Sequence, residues 1–249
     1  MKPGFAALAA LGLALGGSGA AAAGPAAPLL TSRPSAASAT LPVGESLLAN
    51  GAMAYRPASA TGPAPLLILL HGAGGYPANF LQAMKPVSER LGVILLAPRS
   101  AARTWDLVRN MQKGDDPWRG PDASRLDQTL GDLFTRVAVD PSRVALLGFS
   151  DGASYALSLG VSNPKLFTAV IALSPGMFVP PARVDRAQRV FIAHGRNDPV
   201  LPFAGAKDIA GTLRDAGRDV RFRPFAGGHE IDRESLAEAL DWALTGREP

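Results

Sequence analysis

From residue 42 onward, short unbroken apolar runs alternate with longer stretches in which apolar residues recur at helical spacing. Residues 66–70 (LLILL) form the clearest run, and 93–97, 143–148, 169–173 and 190–193 are similar, while residues 220–225 (VRFRPF) also read as a strand. Runs of this length and composition fit strands buried on both faces. Residues 51–56 read as an edge strand. Between the runs, residues 77–91, 122–137, 152–159, 204–216 and 231–244 read as helices. In 122–137, Leu126, Leu130, Leu133, Phe134 and Val137 share a face behind Asp122,. Pro86 is expected to bend or interrupt its helix,. Residues 98–121 show no clean period and read as a long loop holding Trp105 and Trp118. Strand–helix alternation predicts a mostly parallel central sheet with helices on both faces. We see no internal repeat, and residues 42–249 read as one domain.

The N-terminus has a different pattern. Lys2 is followed by an apolar stretch, residues 5–15, and then by small residues ending in an alanine run. A positive start, about 7 to 15 apolar residues and small residues at the end make a secretory signal peptide. Residues 1–23 are therefore expected to be removed near Ala23, leaving a secreted or periplasmic protein. The apolar stretch is too short for stable membrane insertion. Residues 24–41, rich in Pro, Ser and Ala, read as a linker,. The chain has no cysteine, which excludes disulfides, thiol chemistry and a lipidated cysteine,. Its net charge of +4 is scattered rather than gathered on one stretch, so no nucleic-acid partner is expected,. Neither a metal nor an organic cofactor is expected.

The candidate chemistry begins at residues 148–152, GFSDG, which fit G-x-S-x-G. A buried strand precedes them and a helix follows. A sharp turn there crowds the positions two residues either side of the serine, and Gly148 and Gly152 relieve the crowding. A serine hydroxyl needs a base, and the base needs an orienting acid. The chain holds only three histidines. His229, in GGHE before the last helix, is the candidate base for Ser150. Asp198, in HGRNDPV after a strand, is the candidate acid, with Asp185 a weaker rival. The order Ser150, Asp198, His229 is nucleophile, acid, base. Acyl transfer also needs N–H donors for an oxyanion. The backbone of Asp151 supplies one, and Ala73 or alternatively Gly74, in the turn His71–Gly75, supplies the other. His71 is expected to fix that turn and His194 to anchor the acid loop. The Asp151 carboxylate should turn away from the oxyanion or find a cation. Tyr76, Trp105, Met177 and Val200 are expected to line a small apolar pocket, with Trp118 and Phe178 nearby,.

Together the segments HGAGG, GFSDGA, HGRNDPVLP and GGHEI resemble the phospholipase/carboxylesterase branch of the α/β-hydrolase superfamily, which includes acyl-protein thioesterase-like esterases. The resemblance spans about residues 65–244. It implies the α/β-hydrolase fold and a cofactor-free Ser–Asp–His hydrolase of carboxylic esters, with Ala73 and Asp151 as oxyanion donors. Many relatives carry Gln where this chain has Asp151. With no room for a large lid domain, short-chain or otherwise small esters are the expected substrates. An amidase or peptidase, a polyester depolymerase and a non-catalytic binding protein are the alternatives. Intact-mass measurement of the exported protein is expected to show loss of about the first 23 residues. A retained Met1 contradicts cleavage.

Overall fold

The computed structural model describes residues 27–37, 39–181 and 185–245. The expected signal peptide, residues 1–23, lies outside them. The strands are β1 (Gly44–Leu47), β2 (Met53–Arg56), β3 (Ala64–Leu70), β4 (Ile94–Ala97), β5 (Val139–Phe149), β6 (Ala169–Leu173), β7 (Arg189–Gly195) and β8 (Asp219–Phe225). The helices are α1 (Pro77–Leu91), α2 (Asp106–Lys113), α3 (Asp122–Arg136), α4 (Asp151–Ser162), α5 (Phe203–Asp215) and α6 (Arg233–Thr245).

All eight strands form one sheet in the order β1-β2-β4-β3-β5-β6-β7-β8. The β1–β2 and β2–β4 pairs are antiparallel and every other pair is parallel. This is the α/β-hydrolase fold. Successive residues of a strand face opposite sides, and here both sides are apolar. Leu66, Ile68 and Leu70 of β3 pack beneath α2, α3 and α4, where Leu107, Leu130, Phe134 and Leu157 are buried. Leu67 and Leu69 pack toward α1 and α6, against Leu81, Met84, Leu240 and Trp242. Both faces of β3 are thus fully buried, which accounts for its unbroken apolar run,.

Several elements depart from the sequence reading. The edge strand β1 reads GESL and buries none of its residues fully, so no apolar run announces it. Pro86 does not interrupt α1. It and Gln82 are exposed, so the Gln82 carbonyl freed by the proline can face water,. The described residues between 27 and 41 contain no helix or strand but are not a free linker. Leu30 and Leu41 are buried. The Leu30 N–H donates to Asn163 Oδ1 at 2.8 Å, Thr31 and Ser32 donate to Asp127, and Leu41 N–H donates to the Arg136 carbonyl.

The expected long loop holds α2, a helix of two turns, and two buried aspartates set its start. Asp122 Oδ2 accepts the Asp106 N–H, and Asp106 Oδ2 accepts the Asp122 N–H, each at 2.8 Å. Each carboxylate thus serves the first turn of the other's helix. Asp122 Oδ1 also accepts the Ala101 N–H. Burial pushes the Asp106 carboxyl up to about 6; N–H donors from Asp122 and Leu107 only partly offset that effect,. A carboxyl with a raised folded-state pKa binds its proton more tightly in the native state, so stability falls as pH rises through that value. Raising the pH from about 5 to about 7 is expected to shift the thermal midpoint less favourably in the native protein than in Asp106→Asn. Equal slopes in a melting series across that range would remove Asp106 as the cause.

Candidate active site

The four candidate segments lie at the C-terminal ends of parallel strands, where loops of such sheets gather. The turn 71–76 follows β3, Ser150 follows β5, the acid loop 196–202 follows β7 and the base loop 226–232 follows β8. Leu70 of β3 is paired with Gly148 of β5, which sets the first turn beside the serine.

Ser150 sits between β5 and α4 with φ 57° and ψ −121°. A side chain at positive φ is strained and persists only where its surroundings enforce it. The enforcement here is backbone packing. A Cβ on Gly148 would lie 2.1 Å from the Gly152 carbonyl oxygen, and one on Gly152 would lie 2.1 Å from that of Leu70.

His229 Nε2 lies 2.9 Å from Ser150 Oγ, and His229 Nδ1 lies 2.7 Å from Asp198 Oδ2. The Asp198 side chain is fully buried, and its Oδ1 accepts the N–H groups of Val200 and Leu201. Burial alone would raise its carboxyl, but the Leu201 N–H, the His229 ring and the Val200 N–H outweigh burial and hold it below the usual carboxylate range,. The stability this contributes is present above the unfolded value and is lost as pH falls through the lowered one. Asp185 precedes β7, at the opposite end of the sheet, and accepts the Ala187 N–H instead. Glu230 accepts the Gly228 N–H.

Two N–H groups remain open beside the serine. Asp151 is the first residue of α4, where helical geometry provides no acceptor,. In the turn after β3, Gly74 N–H donates to the Arg103 carbonyl and Gly75 N–H to the Gly72 carbonyl. Among the described residues Ala73 N–H has no acceptor, so Ala73 rather than Gly74 keeps its donor available. The Asp151 carboxylate is held by the Thr104 hydroxyl at 2.6 Å, and among the described residues no cation bonds it.

His71 is buried and fixes the turn. Its Nε2 faces the Ser100 N–H, and its Nδ1 lies 2.8 Å from the Gly72 carbonyl. Burial lowers its pKa despite the opposing Gly72 contact. Trp105 does not line the pocket. It is 1% exposed, stacks on Tyr155 at 4.9 Å and donates its indole N–H to the His71 carbonyl. Nor do Met177 and Val200: Met177 packs on the core edge with its N–H on Ser154 Oγ, and Val200 projects into solvent. The cleft beside Ser150 measures about 140 Å³ and is lined by Tyr76, Asn79, Phe80, Phe149 and Ile231 with the turn glycines. Of the expected pocket residues, Tyr76 alone is among them. Phe80 lies one helical turn beyond it on α1, a spacing already present in the reading of residues 77–91 as a helix,.

The sequence model of the family described as phospholipase/carboxylesterase matches residues 57–244. The chain belongs to that family. It is 28% identical over 192 residues to esterase YpfH of Escherichia coli strain K12, covering 71% of this chain and 80% of that protein. It is 29% identical over 180 residues to the putative esterase NocK of Nocardia uniformis subsp. tsuyamanensis, covering 68% of this chain but only 52% of that one. The crystal structure of esterase PE8 superposes with a TM-score of 0.61 at 24% identity, covering 79% of this chain and 98% of that one, a likeness of fold. The chain is thus an esterase-like hydrolase of this family.

The acid and base loops interlock. Arg196 N–H donates to the Phe225 carbonyl and Asn197 N–H to the Gly227 carbonyl. A Cβ on Gly195 would lie 2.2 Å from the Gly228 oxygen. Gly195→Ala is expected to push the base loop away and lower kcat/KM on the order of 10²-fold. A native value measured on a purified, folded variant contradicts the interlock.

Proposed function

We propose that the protein hydrolyses carboxylic esters through an acyl-enzyme on Ser150. The observation that carries this reading is the unbroken hydrogen-bonded line Asp198–His229–Ser150, at 2.7 and 2.9 Å, beside two open N–H groups. His229 Nε2 takes the Oγ proton as Oγ attacks the ester carbonyl. The oxyanion forms between the N–H groups of Ala73 and Asp151. As it collapses, the alcohol departs with the proton held by His229. Water, deprotonated by His229, then attacks the acyl carbonyl, and Ser150 leaves with that proton. Asp198, ionised throughout, stabilises the imidazolium formed in each half.

The cleft supports small substrates. Its volume of about 140 Å³ is near the roughly 150 Å³ of an apolar cavity that takes one benzene ring. Tyr76, Phe80 and Phe149 give it aromatic walls, so a short acyl chain or a single ring fits. Export is part of the proposal and is supported by the sequence of residues 1–23.

Hydrolysis of p-nitrophenyl esters of increasing acyl length tests the reading. Short-chain esters are expected to turn over fastest. Ser150→Ala and His229→Ala are expected to lower kcat by a factor on the order of 10⁴ or more with the fold intact. Native-like turnover in either variant sinks the mechanism.

A further inference from the structure

The steps above draw on the main chain of Asp151 and give its carboxylate no part. Asp151 is the first residue of α4, so its N–H and its charged side chain spring from one residue at the helix N-terminus. A short aspartate side chain can bond its own or a neighbouring N–H, and a helix N-terminus favours the negative charge. Left untied, the carboxylate would compete for the N–H groups on which the oxyanion is to form. In the structure its Oδ2 instead accepts the Thr104 hydroxyl at 2.6 Å, and among the described residues it has no other hydrogen bond or ion pair.

Thr104 is buried and stands between two further ties. The Arg103 carbonyl accepts the Gly74 N–H at 2.7 Å, and the Trp105 indole donates to the His71 carbonyl at 2.8 Å. Three consecutive residues thus hold both the turn that carries the Ala73 N–H and the residue that carries the other donor. We infer that Thr104 is a positioning residue for the proposed hydrolysis: its hydroxyl holds the Asp151 carboxylate off the N–H groups of Ala73 and Asp151, which stay open for the oxyanion. Bonds of this kind, one step behind the reacting groups, keep a site in its productive arrangement. The inference rests on the assignment of those two N–H groups as the oxyanion donors.

The effect belongs to the transition state. Before attack the ester carbonyl is neutral, and a carboxylate nearby costs it little. Once the oxyanion forms, a loose carboxylate would face a like charge beside a buried serine, where solvent screens the repulsion less than in bulk water,. An interaction that differs between ground and transition state appears in kcat and leaves KM nearly unchanged. The charge on residue 151 is therefore the quantity to vary. Asparagine keeps the shape of the side chain and removes that charge.

Substitutions at both ends of the bond separate positioning from packing. Thr104→Val keeps the shape and removes the donor, whereas Thr104→Ser keeps the donor. On a short p-nitrophenyl ester kcat is expected to fall about tenfold in the Val variant with KM within about twofold, and to stay within about threefold of native in the Ser variant. The Val substitution is then made in Asp151→Asn, where there is no charge to hold. There it is expected to lower kcat by no more than about twofold relative to Asp151→Asn itself. A native kcat in Thr104→Val, a Ser variant no better than Val, or an equal fall in both backgrounds overturns the inference; the last would mean that Thr104 only braces its segment. Proton NMR of the native protein needs neither variant nor substrate. It is expected to show a Thr104 hydroxyl proton shielded from exchange, with an Overhauser contact to the Asp151 β protons. A hydroxyl that exchanges as freely as an exposed one overturns the inference even if the variants do not fold. Because that spectrum needs no turnover, a protein that cleaves no ester refutes the proposed reaction, while the Thr104 bond is decided separately.

Discussion

The site depends on contact between bare backbones at the turn that holds Ser150. The Gly152 oxygen occupies the space a Gly148 side chain would need, and the Leu70 oxygen the space a Gly152 side chain would need. That approach draws the end of β3, the end of β5 and the start of α4 into one cluster. It holds Ser150 at positive φ, points its hydroxyl out of the sheet and leaves the first N–H of α4 beside it. Strain of order 1–3 kcal/mol at such a residue persists only where the surroundings over-determine it. Here they do, because both strands are buried on both faces and cannot shift to relieve it.

A second layer holds the donor turn. Residues 99–106 lie behind it as a strap, tied at nearly every position. Ser100 faces His71, Arg103 takes the Gly74 N–H, Thr104 takes the Asp151 carboxylate and Trp105 takes the His71 carbonyl. The strap is anchored where Asp122 accepts the N–H groups of Ala101 and Asp106. The Asp106–Asp122 exchange is costly in a buried setting, as the raised Asp106 carboxyl shows. That cost goes to holding an irregular segment behind the N–H groups on which an oxyanion would rest.

The sequence disclosed most where few residues could fill a role. With three histidines and no cysteine, the order of strands left His229 as the one ring able to follow the last strand, and the structure puts it within hydrogen-bond reach of Ser150. The parallel core was legible because strands such as β3 are apolar at every position. β1 was not, because a four-residue edge strand half in water has no such run. The short helix α2 was hidden because its start is set by Asp122, sixteen residues away. The cleft was least legible. Trp105, expected from the sequence to be a wall, is a buried pillar between His71 and Tyr155. Phe149 and Ile231 line the opening because sheet and loop bring them together, and no spacing records that.

The pairing of β7 with β8 does not stop at the strand ends. It continues as Arg196 to Phe225 and Asn197 to Gly227, beyond the last ladder pair, Gly195 with Phe225. Asp198 and His229 therefore stand on one plate with no hinge between them. Separating them means peeling an edge strand from the sheet. The donor turn sits on the other side of Ser150, and its ties run to an irregular strap rather than to a ladder. Warming such a molecule has two distinct consequences. A loosened strap disorders the N–H pocket while the sheet stands, whereas the acid and base part only when the sheet itself begins to open.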